Sequence, residues 1–176
     1  LQGEGAQAGR AAVFCRFVGC NLWSGKEKDR ATAACRFCDT DFLGTDGDGG
    51  GTFATPESLA QRLSHVWHAE ASGGRPYVVF TGGEPTLQLD DALVDACHEL
   101  GIEVAVETNG TRPVPSGVDW ICVSPKPRST LVQRTGHELK LVYPQPESSP
   151  PDMETSSFEH FFLQPQPINT NQHARR

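Results

Sequence analysis

The sequence predicts an α/β fold, a partial parallel (β/α) barrel of about six strands. Three observations carry that expectation. Short runs rich in Val, Ile and Phe recur along the chain, and several are almost continuously apolar, as in parallel strands packed against helices. Two segments between the early runs have helical period, so strand and helix alternate and right-handed crossovers follow. About six runs are too few to close an eight-unit barrel.

The first strand is read in AAVFCRFVG (11–19), where alternation sets Cys15 and Arg16 on opposite faces. GTDGDGGG (44–51) reads as an acidic, glycine-rich loop. Residues 56–70 follow as a helix. Leu59, Leu63, Val66 and Trp67 form one apolar stripe, Thr55 is the N-cap, Pro56 the first helical residue, and Glu57 sits in the positive first turn. PYVVFTGG (76–83) is the second strand. A second helix is expected over 87–100, with Leu89, Ala92, Leu93, Ala96, Cys97 and Leu100 on its buried stripe and Gly101 ending it. IEVAVETNG (102–110), DWICVSPK (119–126), ELKLVYP (138–144) and HFFLQP (160–165) complete the strands. Residues 144–157 read as a Pro/Ser-rich surface connection, and the tail INTNQHARR is too polar for a core element.

At 176 residues and 37% hydrophobic composition, the chain suits one domain over 1–176. It opens on Leu1, and a segment is expected to be missing at each end. No apolar run is long enough to span a membrane, and no basic start precedes an apolar stretch. The expected location is cytoplasmic, with no membrane partner. A net charge of −7 argues against nucleic acid and leaves a small molecule as the expected ligand. The six cysteines, without a secretory signal, point to thiols or metal ligands rather than disulfides.

Cys20, Cys35 and Cys38 are spaced C-x14-C-x-x-C. A C-x-x-C pair brings two sulfurs to one centre and occurs in zinc sites, iron–sulfur sites and redox dithiols. A closed, non-catalytic zinc module would need Cys15 as its fourth ligand, whereas the strand pattern makes Cys15 a core thiol. Three thiolates on a 4Fe-4S cluster leave one iron open to substrate or cofactor. Cys97 and Cys122 lie in apolar segments and read as core. His65, His68, His98, His137, His160 and His173 show no paired metal spacing.

FTGGEPTL (80–87), a strand followed by Gly-Gly-Glu-Pro, joins these cysteines in a pattern that resembles the radical S-adenosylmethionine superfamily, with a loop inserted into its usual C-x-x-x-C-x-x-C. Gly82 and Gly83 are expected to let the backbone approach the ligand's ammonium, with carbonyls and a carboxylate nearby. LQGEG (1–5), RFVGCNLWSG (16–25), CRFCDTDF (35–42), TGGEP (81–85), ETNGT (107–111), VSPK (123–126) and ELKLV (138–142) together resemble the 7-carboxy-7-deazaguanine synthases. Some members of that family carry the longer cysteine loop.

The resemblance implies a compact, modified radical S-adenosylmethionine core. It also implies a radical-mediated ring contraction of 6-carboxy-5,6,7,8-tetrahydropterin to 7-carboxy-7-deazaguanine with loss of ammonia, on the route to queuosine. A glycyl-radical activating enzyme is the alternative within the superfamily, but it would need an exposed groove for a protein substrate. The implied cofactors are a 4Fe-4S cluster on Cys20, Cys35 and Cys38, S-adenosylmethionine, and Mg2+ bound through Thr40. Phe37, Cys38, Asp39, Gly83, Ser124, Pro125, Lys126, Gln164, Pro165, Gln166 and Pro167 match positions lining S-adenosylmethionine, with Glu107 and Asn109 at a neighbouring strand end. Gln2, Gly3 and Glu4 match the positions that read the pterin edge, with Leu1 packing near them. Arg16 would take the substrate carboxylate and Thr81 would add a hydroxyl. A homodimer and a flavodoxin-like or ferredoxin-like electron donor are further expectations. Family members begin with a strand before Gln2 and continue past this tail, so the chain is expected to bind cluster and S-adenosylmethionine but to turn over poorly.

Overall fold

A computed structural model describes residues 1–70, 73–145 and 156–165. Six strands, β1 (Val13–Phe17), β2 (Tyr77–Gly82), β3 (Glu103–Thr108), β4 (Trp120–Val123), β5 (Thr135–Tyr143) and β6 (Ser157–Pro165), form one sheet in chain order. Every neighbouring pair is parallel. Helix α1 (Pro56–Glu70) joins β1 to β2 and α2 (Asp91–Glu99) joins β2 to β3. The β3–β4 and β4–β5 connections run without a helix, which makes the barrel compact. The fold is therefore the partial parallel barrel that the sequence predicts.

Both helices start and stop where local chemistry dictates. The Ser58 amide donates to Thr55 Oγ1 at 3.2 Å, so Thr55 caps α1. Helix α2 begins later than its apolar stripe implies. Pro85–Leu87 forms a 3₁₀ turn, and Asp90 is the cap, accepting from the Leu93 amide at 2.9 Å. At its end Gly101 donates to His98 O and Ile102 to Cys97 O, the two bonds of a Schellman closure, with Gly101 at φ 69°. The buried side chains of α2 are Leu93, Val94, Ala96 and Cys97, whereas Ala92 and Leu100 face solvent. In α1 they are Ala60, Leu63 and Trp67.

The helix-covered face holds the main core, with Leu63, Val78, Phe80, Leu93, Val94, Val104 and Val106 at its centre and Cys15 and Phe17 packed against it. Each such aliphatic or aromatic side chain contributes roughly 1.5–3 kcal/mol on burial. The opposite face curls inward. Arg16 of β1, Lys140 of β5 and Gln164 of β6 line one cavity, so first and last strands approach across the curl. No described helix is long and apolar enough to cross a membrane.

Candidate active site

A cavity of about 350 Å³ opens at the carboxyl ends of the strands, where parallel barrels place their chemistry. Its wall includes all three thiols of the cysteine motif, together with Phe37, Asp39, Thr40, Thr81, Gly83, Ser124, Lys126, Gln164 and Pro165. Glu4 and Arg16 complete it on the inner side. Residues far apart in sequence thus share one volume, within the size range of small-molecule sites.

The Gly-Gly-Glu-Pro turn contributes Gly82 and Gly83 to the cavity wall, and the same glycines are needed for packing. The Gly83 amide donates to Phe17 O at 3.0 Å and the Glu84 amide to Gly19 O at 2.9 Å. A Cβ on Gly82 would overlap the Phe17 backbone, and one on Gly83 the Gly19 carbonyl. Gly82 also lies at φ 118°, outside the range of other residues. The glycines let the ends of β1 and β2 touch and so seat Cys20. The Glu84 side chain is fully buried and is not among the residues that line the cavity. It accepts from the Thr86 amide (3.1 Å) and the Thr86 and Thr108 hydroxyls (both 2.6 Å) at Oε1, and from the Asn109 amide (2.8 Å) at Oε2. Glu84 joins the ends of β2 and β3. Asn109 continues the network to Asn21, beside Cys20, at 3.0 Å.

Cys20, Cys35 and Cys38 face the cavity, with Cys35 the most buried. Burial raises the thiols of Cys20 and Cys35 above the ordinary range, so they stay protonated until a metal takes the place of the proton. Among the described residues, no three His, Cys, Asp or Glu side chains converge on a single ion. Sulfurs spread around one cavity fit a multi-iron cluster, which binds each thiolate at its own corner. Cys15 pairs in register with Phe80 and packs into the helix-side core, where burial pushes its thiol up to about 11. It lies on the opposite face from the motif, so a four-cysteine zinc site is not formed. Cys97 and Cys122 are core thiols as expected.

On the inner wall a loop from Gln2 to Arg10 folds back on itself, with Gln2 N donating to Arg10 O and Gly9 N to Gln2 O, both at 2.8 Å. Gln2 Nε2 reaches Glu107 Oε1 at 2.9 Å. Lys140 Nζ donates to Glu4 Oε2 at 2.8 Å and to Glu107 Oε1 at 3.4 Å. Gln164 Nε2 reaches the other Glu4 oxygen at 3.0 Å, and the Thr81 hydroxyl lies 3.4 Å from Glu107 Oε2. Burial opposes the Lys140 charge, yet Cys122, Glu107 and Glu4 outweigh it and raise its pKa above the ordinary lysine value. Since burial also keeps Cys122 neutral, the two carboxylates are what count at neutral pH. Arg16 stands on the same wall with no hydrogen bond or ion pair to any described residue. Leu1 and Gly3 are exposed and Gln2 is buried behind the wall, and of residues 1–4 only Glu4 lines the cavity. Pro125 is buried and does not line it. Gln166 and Pro167 lie outside the described residues.

The Gln2–Arg10 loop is anchored at its far end. Arg10 forks onto Glu103 with two 2.7 Å bonds and covers the Tyr77 ring at 3.6 Å. The Arg10 guanidinium holds the Glu103 carboxyl below its usual range. A depressed carboxylate stabilises the fold above its unfolded pKa, ~4.3, and loses that contribution as pH falls through the lower folded value. The loop is therefore expected to loosen below about pH 4.3, and amide exchange at residues 2–10 should accelerate there. Arg10→Ala should produce the same acceleration at neutral pH.

Lys140 and Arg10 were not singled out by the sequence as site residues. A lysine inside the apolar run ELKLV was the visible signal for the first, because lysine is rarely buried without partners.

A sheet of parallel strands with three thiols and a Gly-Gly-Glu-Pro turn at its open end defines a radical S-adenosylmethionine core. A family model described as the Radical SAM superfamily matches residues 29–126. The 7-carboxy-7-deazaguanine synthase of Bordetella pertussis is 64% identical over 165 residues, 94% of this chain and 78% of that protein. The 7-carboxy-7-deazaguanine synthase of Bradyrhizobium diazoefficiens is 62% identical with the same coverage of both chains. Among solved structures, that of QueE from Escherichia coli superposes with a TM-score of 0.58 at 27% identity, over 82% of this chain and 68% of that one. The chain belongs to the 7-carboxy-7-deazaguanine synthase family of the radical S-adenosylmethionine superfamily. Membership implies a 4Fe-4S cluster and S-adenosylmethionine as cofactors, and the thiol arrangement fits them.

Proposed function

We propose that the chain converts 6-carboxy-5,6,7,8-tetrahydropterin to 7-carboxy-7-deazaguanine with loss of ammonia. The observation that supports this most is the juxtaposition, in one cavity, of the three thiols with Arg16, unpaired among the described residues, and with the network of Glu4, Thr81, Glu107 and Lys140. Cys20, Cys35 and Cys38 hold the cluster. When bound, the cluster and S-adenosylmethionine supply a deoxyadenosyl radical that takes a hydrogen atom from the substrate. The chain's own residues bind, orient and shield.

Lys126 Nζ is held by Ser124 O at 2.8 Å and Ser124 Oγ at 2.6 Å, at the edge of the thiols. That placement suits the carboxylate of S-adenosylmethionine. Gly83, Pro125, Gln164 and Pro165 support the same ligand, and Phe37, Cys38 and Asp39 run beside it, with Gln166 and Pro167 in the same sequence run. Thr40 offers a hard oxygen to Mg2+, whose shell water and substrate complete. Gln2 and Glu4 read the amide-like edge of the pterin, with Leu1 and Gly3 in the same segment and Thr81 adding a hydroxyl. A homodimer in the cytoplasm, reduced by a flavodoxin-like or ferredoxin-like donor and needing neither nucleic acid nor membrane, completes the reading.

Arg16 presents its guanidinium to the cavity, where a substrate carboxylate takes the fork. Arg16→Ala should raise KM for the carboxylated pterin roughly 30-fold, the equivalent of ~2 kcal/mol. A pterin lacking the carboxylate should be indifferent to the change, and equal sensitivity of both would remove Arg16 from this role. The reading as a whole is tested by anaerobic reconstitution with iron and sulfide. A reduced-cluster paramagnetic signal that changes on adding S-adenosylmethionine is expected, followed by product from the tetrahydropterin. Absence of that signal would overturn it.

A further inference from the structure

The fourteen residues between Cys20 and Cys35 depart from the short cysteine spacing usual in the superfamily, and the structure shows what they touch. Glu27–Thr32 forms a 3₁₀ turn, closed by Asp29 N to Lys26 O at 3.0 Å and Ala33 N to Arg30 O at 3.2 Å. From that turn Arg30 reaches back over the cysteine pair. Its Nη1 donates to Arg36 O at 2.9 Å and to Cys38 O at 3.0 Å. Its Nε donates to Glu27 at 2.7 Å. The guanidinium lies over the Trp23 ring at 4.1 Å.

Trp23 is itself fixed. It is buried, packs edge-on against Phe42 at 5.6 Å, and donates from Nε1 to Lys26 O at 3.2 Å. Phe42 O accepts from Gly19 N, next to Cys20. Leu22 O takes the amides of Ala34 and Cys35 at 3.1 and 3.4 Å. The insertion is thus a bracket with one end at Cys20 and the other at the C-x-x-C turn, and Arg30 is its cross-bar.

We propose that Arg30 is a positioning residue, which presets Cys35 and Cys38 for the cluster by tying the carbonyls of Arg36 and Cys38 to the Trp23 platform. Two carbonyls on one nitrogen of a rigid, stacked cation leave the turn little freedom. Without that cross-bar the turn between the two thiols has no other side chain of the insertion holding its carbonyls. The ordering that Arg30 supplies would then have to come from the metal itself. The proposal rests on the assignment of Cys20, Cys35 and Cys38 as cluster ligands, but its first test does not need the cluster.

In the iron-free, reduced chain, alkylation of Cys35 and Cys38 by iodoacetamide is followed by mass spectrometry, with Cys20 as internal reference. Arg30→Ala should speed the reaction at Cys35 about tenfold, because the turn opens about 1.4 kcal/mol more readily, and should leave the circular dichroism spectrum intact. In the reconstituted chain it should lose iron to a chelator about tenfold faster, with a broadened reduced-cluster signal. Glu27→Gln, on the exposed side of Arg30, should change neither rate by more than about twofold. If Arg30→Ala fails to fold, Arg30→Lys serves, since a compact ammonium cannot stack and span both carbonyls; a several-fold faster reaction is expected. Parental alkylation and iron-loss rates in the folded variants would overturn the proposal. A parent chain that takes up no cluster would overturn the functional reading, while the alkylation rates would still decide the role of Arg30.

Discussion

Cys35→Ala is expected to leave a folded chain that retains no 4Fe-4S cluster and forms no product, whereas Cys15→Ser keeps its iron. The contrast follows from the two faces of the sheet. Cys35 lines the cavity with Cys20 and Cys38, while Cys15 packs beside Phe17 and Phe80 under the helices. Two remaining thiolates cannot hold a cluster that already relies on one non-protein ligand. The cost of Cys15→Ser is of another kind, roughly 1–3 kcal/mol for a hydroxyl in an apolar core without a partner. Iron and sulfide assays after anaerobic reconstitution, paired with thermal melts, separate the two effects. Loss of metal in Cys15→Ser with an unchanged melt would bring Cys15 back as a ligand.

Glu84→Gln should be the most damaging conservative change outside the cysteines. The Glu84 carboxylate is fully buried and accepts four hydrogen bonds, three at one oxygen and one at the other. An amide keeps one oxygen. Its nitrogen then faces either the Asn109 amide or the Thr86 amide and two hydroxyls, and a donor set against the Asn109 N–H leaves both unpaired. Losing a charge-assisted bond and burying unsatisfied donors costs roughly 3 kcal/mol, equivalent to about 6–12 °C in melting temperature for a chain of this size. The functional loss should exceed the stability loss, because Glu84 and Asn109 connect the ends of β2 and β3 to Asn21 beside Cys20. S-adenosylmethionine affinity measured well below the melting range should fall at least tenfold. A parental melt and parental affinity would show that the network is redundant.

The lesson of the glycine pair lies in the same turn. From sequence, Gly82 and Gly83 could be read as making room for a ligand, and Glu84 as a polar group beside it. In the folded chain both glycines line the cavity and also pack against Phe17 and Gly19, while the carboxylate is held at the β3 end. A motif in sequence carries the backbone freedom of its residues but not the identity of the neighbour that requires it. The expected helix over 87–100 had the wrong start, and its stripe was right at Leu93, Ala96 and Cys97 but not at Ala92 or Leu100, while Val94 is buried instead. Asp90 competes for the cap, and the short-range pattern does not say which of two turns it will close.

The existence and type of the elements, though not every boundary, were determined by the sequence alone. The parallel strands show as apolar runs, the two helices as capped stripes, and the three cavity thiols as a motif, because each depends on neighbours within a few residues or on residue chemistry. Alternation along β1 was enough to separate Cys15 from Arg16. What only the tertiary structure decided is the set of contacts made across the curl of the sheet. Gln2 meets Glu107 from 105 positions away, and Lys140 meets Glu4 from 136. Those pairings arise because six parallel strands curve until β1 and β6 face one cavity, bringing the amino-terminal loop against β3, β5 and β6 at once. No local period encodes that curvature, so a lysine in an apolar strand becomes the partner of two carboxylates only when the sheet closes around it.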